Sequence, residues 1–386
     1  MAMIEFLIKY KYVLLFYLII ILIVYLNRKK FEIQAKVIAL YRTKFGIKFI
    51  NYAGTKFSKP LKILGYIGIP VGFLGMGFIL YVFGEGIFKA LSQPNAAPVV
   101  SPVLPGLPIP GTEVVVPLFY GLVAIFIVII IHESSHGIIA KAHKIPVKNT
   151  GFVLFGPIPG AFVEPDEKII EKSPKKVQLS IFAAGPFSNI LTAALVILLF
   201  IFVISPVFGK VTEPQGFYFI TVKEGGPANL SGIPANVVFD KVDDNVINTS
   251  TTFIEYMGAI KPGEEITISN ENQEYKVKTG ENPTNNTKPY LGIELMTKYK
   301  NEDKFAFKGL IFGMELLKWI WILSLGLGLA NLLPLGPVDG GRMFHVATVG
   351  FFGKEKGQKI WIRVSIVVLF ILIFLLLHPL IKAIFP

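Results

Sequence analysis

The amino-acid sequence predicts a multi-pass α-helical membrane protein of about six transmembrane helices, with a small α+β domain inserted between the fourth and the fifth. Three observations predict it. Hydrophobic residues make up 53% of the chain and charged residues 17%, whereas a soluble domain carries about 25% charged residues. The apolar residues are gathered into runs that approach or exceed the length needed to cross a hydrocarbon core of about 30 Å. Between residues 210 and 304 the composition switches to Asn, Glu, Thr and Lys and then switches back. The absence of cysteine excludes disulfides, thiolate metal sites and cysteine nucleophiles. The net charge of +12 is concentrated in segments flanking the apolar runs, which points to a lipid bilayer and not to nucleic acid.

Six segments read as spans. The first, Tyr12 to Leu26, is short and ends in Asn27, Arg28, Lys29 and Lys30 with no cleavage signal after it. The second, Ile63 to Phe83, is rich in glycine and contains Pro70. The third, Val114 to Ile131, leads directly into His132. The fourth, Val177 to Pro206, is longer than one crossing requires. The fifth is Gly309 to Ala330, with Glu315 and Lys318 inside it, and the sixth is Ile360 to Leu380.

Charge predicts the orientation. Residues 27–62 hold ten Lys or Arg against one acid, and residues 141–177 hold seven Lys against four acids. With the basic stretch 342–359 they are expected on the cytoplasmic side. Residues 210–304, with ten Lys against fourteen acids, are expected outside. Residues 31–43 have apolar positions suited to an interfacial amphipathic helix or to an ordinary connecting helix. The prolines of 92–112 exclude helix and central strand and predict an extended external or re-entrant loop. The expected organisation is 1–113, an N-terminal membrane region; 114–209, the first part of a core; 210–304, the inserted domain; and 305–386, the second part of the core.

Within the insert, strands are predicted at Gly216–Val222, Val237–Val242, Glu265–Ser269, Gln273–Thr279 and Tyr290–Glu294, and helices at Pro227–Ser231 and Ser250–Ile260. The second helix has Ser250 or Thr251 available as a cap, and Phe253, Ile254 and Met257 are expected to face inward. The order, with Gly226, Pro227, Ala228, Gly232 and Ile233 ahead of a strand and Pro262-Gly263-Glu264 before two more, resembles a circularly permuted bacterial PDZ domain. That resemblance implies binding of an extended peptide, or of a substrate's external stub, at a sheet edge. A generic β-rich external domain is the alternative.

Of the five histidines, His378 reads as interfacial and His143 as solvated, and His345 is a minor alternative ligand. His132 and His136 belong to the pattern His132-Glu133-Ser134-Ser135-His136. Positions four apart stack on one helix face, so two imidazoles there are placed to hold one zinc, with Glu133 in reach of a water as general base. The run of apolar residues before them places the group at membrane depth, where polar side chains are costly unless paired or ligating. A third ligand is needed. Candidates are Asp339, Glu113, Glu164, Asp166 and Glu315, and Asp339 has the best setting. It follows the fifth span within Asn331-Leu332-Leu333-Pro334-Leu335-Gly336-Pro337-Val338-Asp339-Gly340-Gly341, where two prolines open the helix and two glycines allow a close backbone approach.

Together the two motifs resemble those of site-2 protease family intramembrane zinc metalloproteases. The resemblance implies His132, His136 and Asp339 as Zn2+ ligands, Glu133 as catalytic base, and Asn331 as the residue that orients substrate or stabilises the oxyanion. It implies cleavage of single-span membrane protein substrates in or near their spans. Gly160-Ala161-Phe162-Val163-Glu164 resembles the family's membrane-associated segment, and Ala184-Gly185-Pro186-Phe187-Ser188-Asn189 the start of its next helix. Ser135 and Val338 depart from the usual residues without removing a ligand, and residues 1–110 lie outside the resemblance. Two other readings were open on the residues: a zinc protease with a Glu ligand from a second helical motif, for which no ExxxD or ExxxH partner stands out, and a non-catalytic scaffold or transporter with a peptide-binding domain.

Overall fold

The computed structural model describes residues 8, 10–34, 38–93, 98–109, 112, 114–155, 158–283, 285–300 and 302–384. They fall into two compact units. One is built from residues up to Leu198 and from Glu315 onward, the other from Leu199 to Met314. Among the described residues five helices are long and apolar enough to cross a membrane: Ser58–Ser92, Leu118–Ala142, Lys175–Val211, Phe305–Ala330 and Lys354–His378.

The first unit begins with α1, Lys11–Leu26. At 1.5 Å per residue its 16 residues reach about 24 Å, short of a hydrocarbon core of about 30 Å. The segment expected to form an amphipathic helix is instead two strands, β1 (Glu32–Gln34) and β2 (Ile38–Thr43). The reason is pairing across the chain: β2 lies antiparallel to a strand more than a hundred residues later, with Tyr41 opposite Phe152 and Ala39 opposite Leu154. Helices α2 (Ile47–Lys56) and α3 (Ser58–Ser92) follow. The described part of the proline-rich stretch forms no helix. It turns back on itself through Ile109 N–H to Val114 O (2.8 Å) and Gly106 N–H to Val116 O (2.7 Å). Pro94 and Pro110 lie outside the described residues.

Helix α4, Leu118–Ala142, starts four residues later than the apolar run and continues well beyond it. The HExxH group is therefore inside the helix and not at its end. Strands β3 (Val147–Phe155) and β4 (Ile158–Pro165) complete the antiparallel sheet β1-β2-β3-β4. The short α5 (Glu167–Lys172) is capped by Asp166, whose side chain accepts from Lys168 N–H. Helix α6, Lys175–Leu199, contains Pro186 in its interior, so the Ala184–Asn189 motif lies mid-helix and does not begin one.

The second unit starts with a π-helical turn, Phe200–Ile204, and α7, Ser205–Val211. Pro206 brings no N–H to the ladder, and the wider turn directly precedes it. The long fourth apolar segment is thus a continuous helical stretch with a changed register. Next come β5 (Pro214–Val222), α8 (Pro227–Leu230), β6 (Val238–Phe239), β7 (Lys241–Val242), β8 (Asn245–Val246), α9 (Ser250–Ala259), β9 (Glu265–Ser269), β10 (Glu274–Lys278), β11 (Gly280–Asn282), β12 (Asn285–Tyr290) and β13 (Ile293–Tyr299). They form sheets β13-β5-β6 and β10-β9-β7-β8 and the ribbon β11-β12. The core is aromatic and branched: Phe217, Phe219, Phe239, Phe253, Ile266, Ile268 and Val277 are all buried. The cap of α9 is Thr249, in a reciprocal box with Thr252, and not Ser250 or Thr251. Phe253 is buried and Met257 packs on the core, but Ile254 is 60% exposed, because one step along a helix turns a side chain by about 100°. The expected last strand is shifted, since Tyr290 ends β12 and β13 begins at Ile293.

The chain re-enters the first unit along α10, Phe305–Ala330, then forms α11, Asp339–Phe352, and α12, Lys354–Ile384. Around the site the first unit packs Met76, Ile139, Ile145, Ile170, Ile181, Phe182, Leu332 and Met343 into one buried cluster drawn from α3, α4, α5, α6 and α11 and the segments joining them.

Candidate metal centre

Helix α4 carries His132, Glu133 and His136 at the spacing that puts the two histidines on one face. The rings stand 5.0 Å apart between centroids. Asp339, 207 positions after His132 in the chain, is the first residue of α11 and meets them there. His132 Nε2 lies 3.0 Å from Asp339 Oδ2, His136 Nε2 lies 3.3 Å from the same oxygen, and the two Nε2 atoms are 3.3 Å apart. Asp339 is held in place by the irregular turn before it. Pro334 and Pro337 cannot extend α10, and Gly340 N–H donates to Asn331 O at 2.6 Å. A Cβ on Gly340 would sit 2.3 Å from the Leu332 carbonyl carbon and oxygen, and one on Gly341 would sit 2.5 Å from Leu335 O. The two glycines make room for the chain's own turn.

The remaining ring nitrogens are tied to the scaffold. His136 Nδ1 is 2.7 Å from Ile181 O, so Nδ1 carries the proton and Nε2 presents a lone pair. His132 Nδ1 is 3.1 Å from the amide of the buried Asn189. With Nδ2 facing the ring, Asn189 Oδ1 is left buried without a partner. Turning the amide over lets Oδ1 accept from His132 Nδ1–H, an assignment that hydrogen-bond satisfaction favours. Both Nε2 lone pairs then face each other and a carboxylate oxygen, a repulsive arrangement that a cation resolves. Two more observations fit one. Each of the three side chains offers a ligand atom within 4.8 Å of the others. A Cβ on Gly185 of α6 would lie 2.3 Å from His136 Nε2 and 2.5 Å from His132 Nε2, so the helix crossing over the imidazoles has a hydrogen where any other residue would intrude. Such supports for ligating imidazoles are general features of metal sites. The donor set fits a metal ion.

Glu133 Oε2 accepts from Val163 N–H of β4 at 3.1 Å. All four side chains line a cleft of about 860 Å³, whose wall also includes Asn331, Val163 and Arg342. Asn331, just past the end of α10, donates through Nδ2 to Leu327 O at 3.0 Å, which leaves the second N–H of that amide.

The other candidate ligands are committed elsewhere. Glu164 accepts from Asn149 Nδ2 (2.9 Å) and Arg42 Nε (3.3 Å). The Asn149 hydrogen bond and the adjacent Arg42 charge hold its carboxyl below the usual range. Asp166 pairs with Lys148 at 2.9 Å and Glu315 with Lys318 at 2.6 Å. Glu113 lies outside the described residues. His345 lies against the Trp361 ring at 4.7 Å and His378 against Phe374 at 5.4 Å, both pairs tilted. His143 is half-buried, 3.2 Å from Ser180 Oγ and against the Tyr66 ring. Asn189, Gly185 and Val163 were not foreseen as parts of a site. A signal existed for Asn189, because an amide inside a run as apolar as that of α6 requires a partner.

Compared with models of known families, the chain matches that of peptidase family M50 over residues 120–372, and it belongs to that family. The family and the five apolar helices make it a membrane metallopeptidase by class. A relative from Methanocaldococcus jannaschii, "Uncharacterized protein MJ0971", is 29% identical over 350 residues, covering 87% of this chain and 84% of the relative. Among solved structures, the PDZ domain of the SdrC-like protein (Lmo2051) from Listeria monocytogenes is similar at 24% identity, covering 21% of this chain and 87% of that domain with a TM-score of 0.18.

Proposed function

We propose that the protein is a zinc metalloendopeptidase of the site-2 protease type, hydrolysing peptide bonds in or near the transmembrane segments of single-span membrane proteins. The convergence of His132, His136 and Asp339 beside Glu133, on a helix apolar enough to cross a membrane, carries this reading. The two Nε2 atoms and the Asp339 carboxylate are the proposed zinc ligands, and a bound zinc ion supplies Lewis acidity, polarising a scissile carbonyl and acidifying water. Glu133 is the proposed general base. Its Oε2 is anchored by Val163 N–H, so Oε1 receives the proton of the attacking water and passes it to the leaving amine. The second N–H of Asn331 is a proposed donor to the developing oxyanion. Metal analysis of the purified protein tests the cofactor. Stoichiometric iron in place of zinc, with no zinc-dependent cleavage of any single-span substrate, would refute this assignment.

The charge balance supports an extracytoplasmic position for residues 210–304. Glu271 is exposed on the turn between β9 and β10, and the chain has no cysteine, so Glu271→Cys gives a single labelling position. A membrane-impermeant thiol reagent is expected to label it on intact cells. Labelling only after permeabilisation reverses the orientation.

We further propose that the inserted unit is a PDZ-like module that takes an extended peptide along β13. That strand is at the edge of its sheet, paired among the described residues with β5 alone, and edge strands accept added strands. A flexible linker in place of residues 212–303 is expected to preserve metal binding and cleavage of a short model span, while altering the ranking of substrates with different external stubs. Loss of metal, or an equal fall for all substrates, would show that the domain serves only to hold the helices.

A further inference from the structure

Glu133 stands between two cavities. One is the polar cleft of the metal centre. The other, of about 350 Å³, has walls that include Phe49, Phe126, Ile130, Phe152, Ala161 and Phe162. Glu133, Phe162 and Val163 line both, so the two cavities adjoin at Glu133. Its other polar groups are few. Thr150 Oγ1 is engaged with Phe45 O at 2.6 Å, and no Lys or Arg is among the described residues that line it.

We infer that this cavity is a specificity pocket, taking one bulky apolar side chain, aromatic or branched, from the substrate residue beside the bond that is cut. The inference rests on the proteolytic reading above. Glu133 in the wall of both cavities places the occupant next to the reacting bond. Size limits it: the cavity is at the small end of ligand pockets, which run from about 300 to 1,000 Å³, and a helix about 10–12 Å across does not fit. The occupant is therefore a side chain on a locally unwound segment. Charge separates it from the other apolar species at hand, a phospholipid. A lipid phosphate near Glu133 meets a carboxylate and no cation from the pocket wall, whereas a peptide presents only neutral amides there.

The test uses the full-length, metal-loaded protein and single-span substrates identical except for Gly, Ala, Leu, Phe or Trp at each position flanking the cut. Ala161→Leu narrows the pocket and Ile130→Ala widens it; neither is among the described residues that line the metal-centre cleft. The wild type is expected to favour Leu or Phe over Ala by about tenfold or more in kcat/KM at one position, the scale of apolar-pocket discrimination. Ala161→Leu is expected to remove that preference while cleaving the Ala substrate at a near wild-type rate. Ile130→Ala is expected to move the preference toward Trp. An unchanged Phe-to-Ala ratio in both variants, with normal metal content, overturns the inference, as does an equal fall for every substrate. A rate that depends on added phospholipid equally for all side chains, and loses that dependence in Ala161→Leu, identifies a lipid site and overturns it too. Absence of any cleavage by metal-loaded wild type defeats the proteolytic reading and this inference together, while cleavage with a flat side-chain dependence defeats this one alone.

Discussion

Glu133→Gln is expected to keep its metal and to lose peptide-bond hydrolysis by about 10²–10⁴-fold, the range over which a positioned acid–base group accelerates proton transfer. The substitution preserves size and an acceptor for Val163 N–H, which Oε2 now engages at 3.1 Å. It removes the only carboxylate on α4 adjacent to the two histidines. Metal content by mass spectrometry and single-turnover cleavage of a model span, measured on the same sample, separate the two effects. Wild-type rates in a metal-replete variant exclude Glu133 as the base. Loss of metal means that the carboxylate helps to hold the site together.

The second large effect is expected from a single methyl group. Gly185→Ala puts a carbon 2.3 Å from His136 Nε2 and 2.5 Å from His132 Nε2, inside the space that ligand nitrogens and a metal need. Because the neighbour is a helix packed through Ala183 and Ala184, both buried, it has little freedom to retreat. Zinc binding is expected to fall below detection, as it is for Asp339→Ala, and activity with it. Asn189→Ala is the milder companion: the ligand loses its outer partner, which typically weakens metal affinity 10–100-fold. A Gly185→Ala protein that binds zinc as tightly as wild type rules out the metal position inferred from the three side chains.

The parts of the molecule that were legible in the sequence are those whose physics is local. A histidine pair four apart needs only a helix to become a face, and an apolar run of span length declares itself. The turn before Asp339 was also readable, because Pro334 and Pro337 cannot continue a helix. What escaped was decided across the chain. Residues 31–43 carry apolar side chains at spacings that suit a helix, and nothing nearby contradicts it. Their strands exist because β3 offers a partner a hundred positions later, and strand preference depends on such neighbours more than on the residue itself. Asn189 and Gly185 were readable as a packing motif only, since neither amide nor missing Cβ reveals what it faces until α6 crosses α4. Ile254 failed for the opposite reason: two adjacent apolar residues on α9 cannot share one inward face, and Phe253 took it.

The pairing of β2 with β3 bears on where this enzyme can be cut down. The segment shared with the family begins at residue 120, which invites truncation at the helix that holds the histidines. Yet residues 38–43 complete the sheet whose last strand anchors Glu133, and Arg42 reaches Glu164 on that strand. Removing them would bare six residues of β3 backbone as an unpaired sheet edge. A fragment starting at residue 114 is therefore a protein with a raw edge, ready to pair with a second copy of itself. A fragment that keeps residues 38–43 is therefore expected to fold where one trimmed to the family-matched stretch does not.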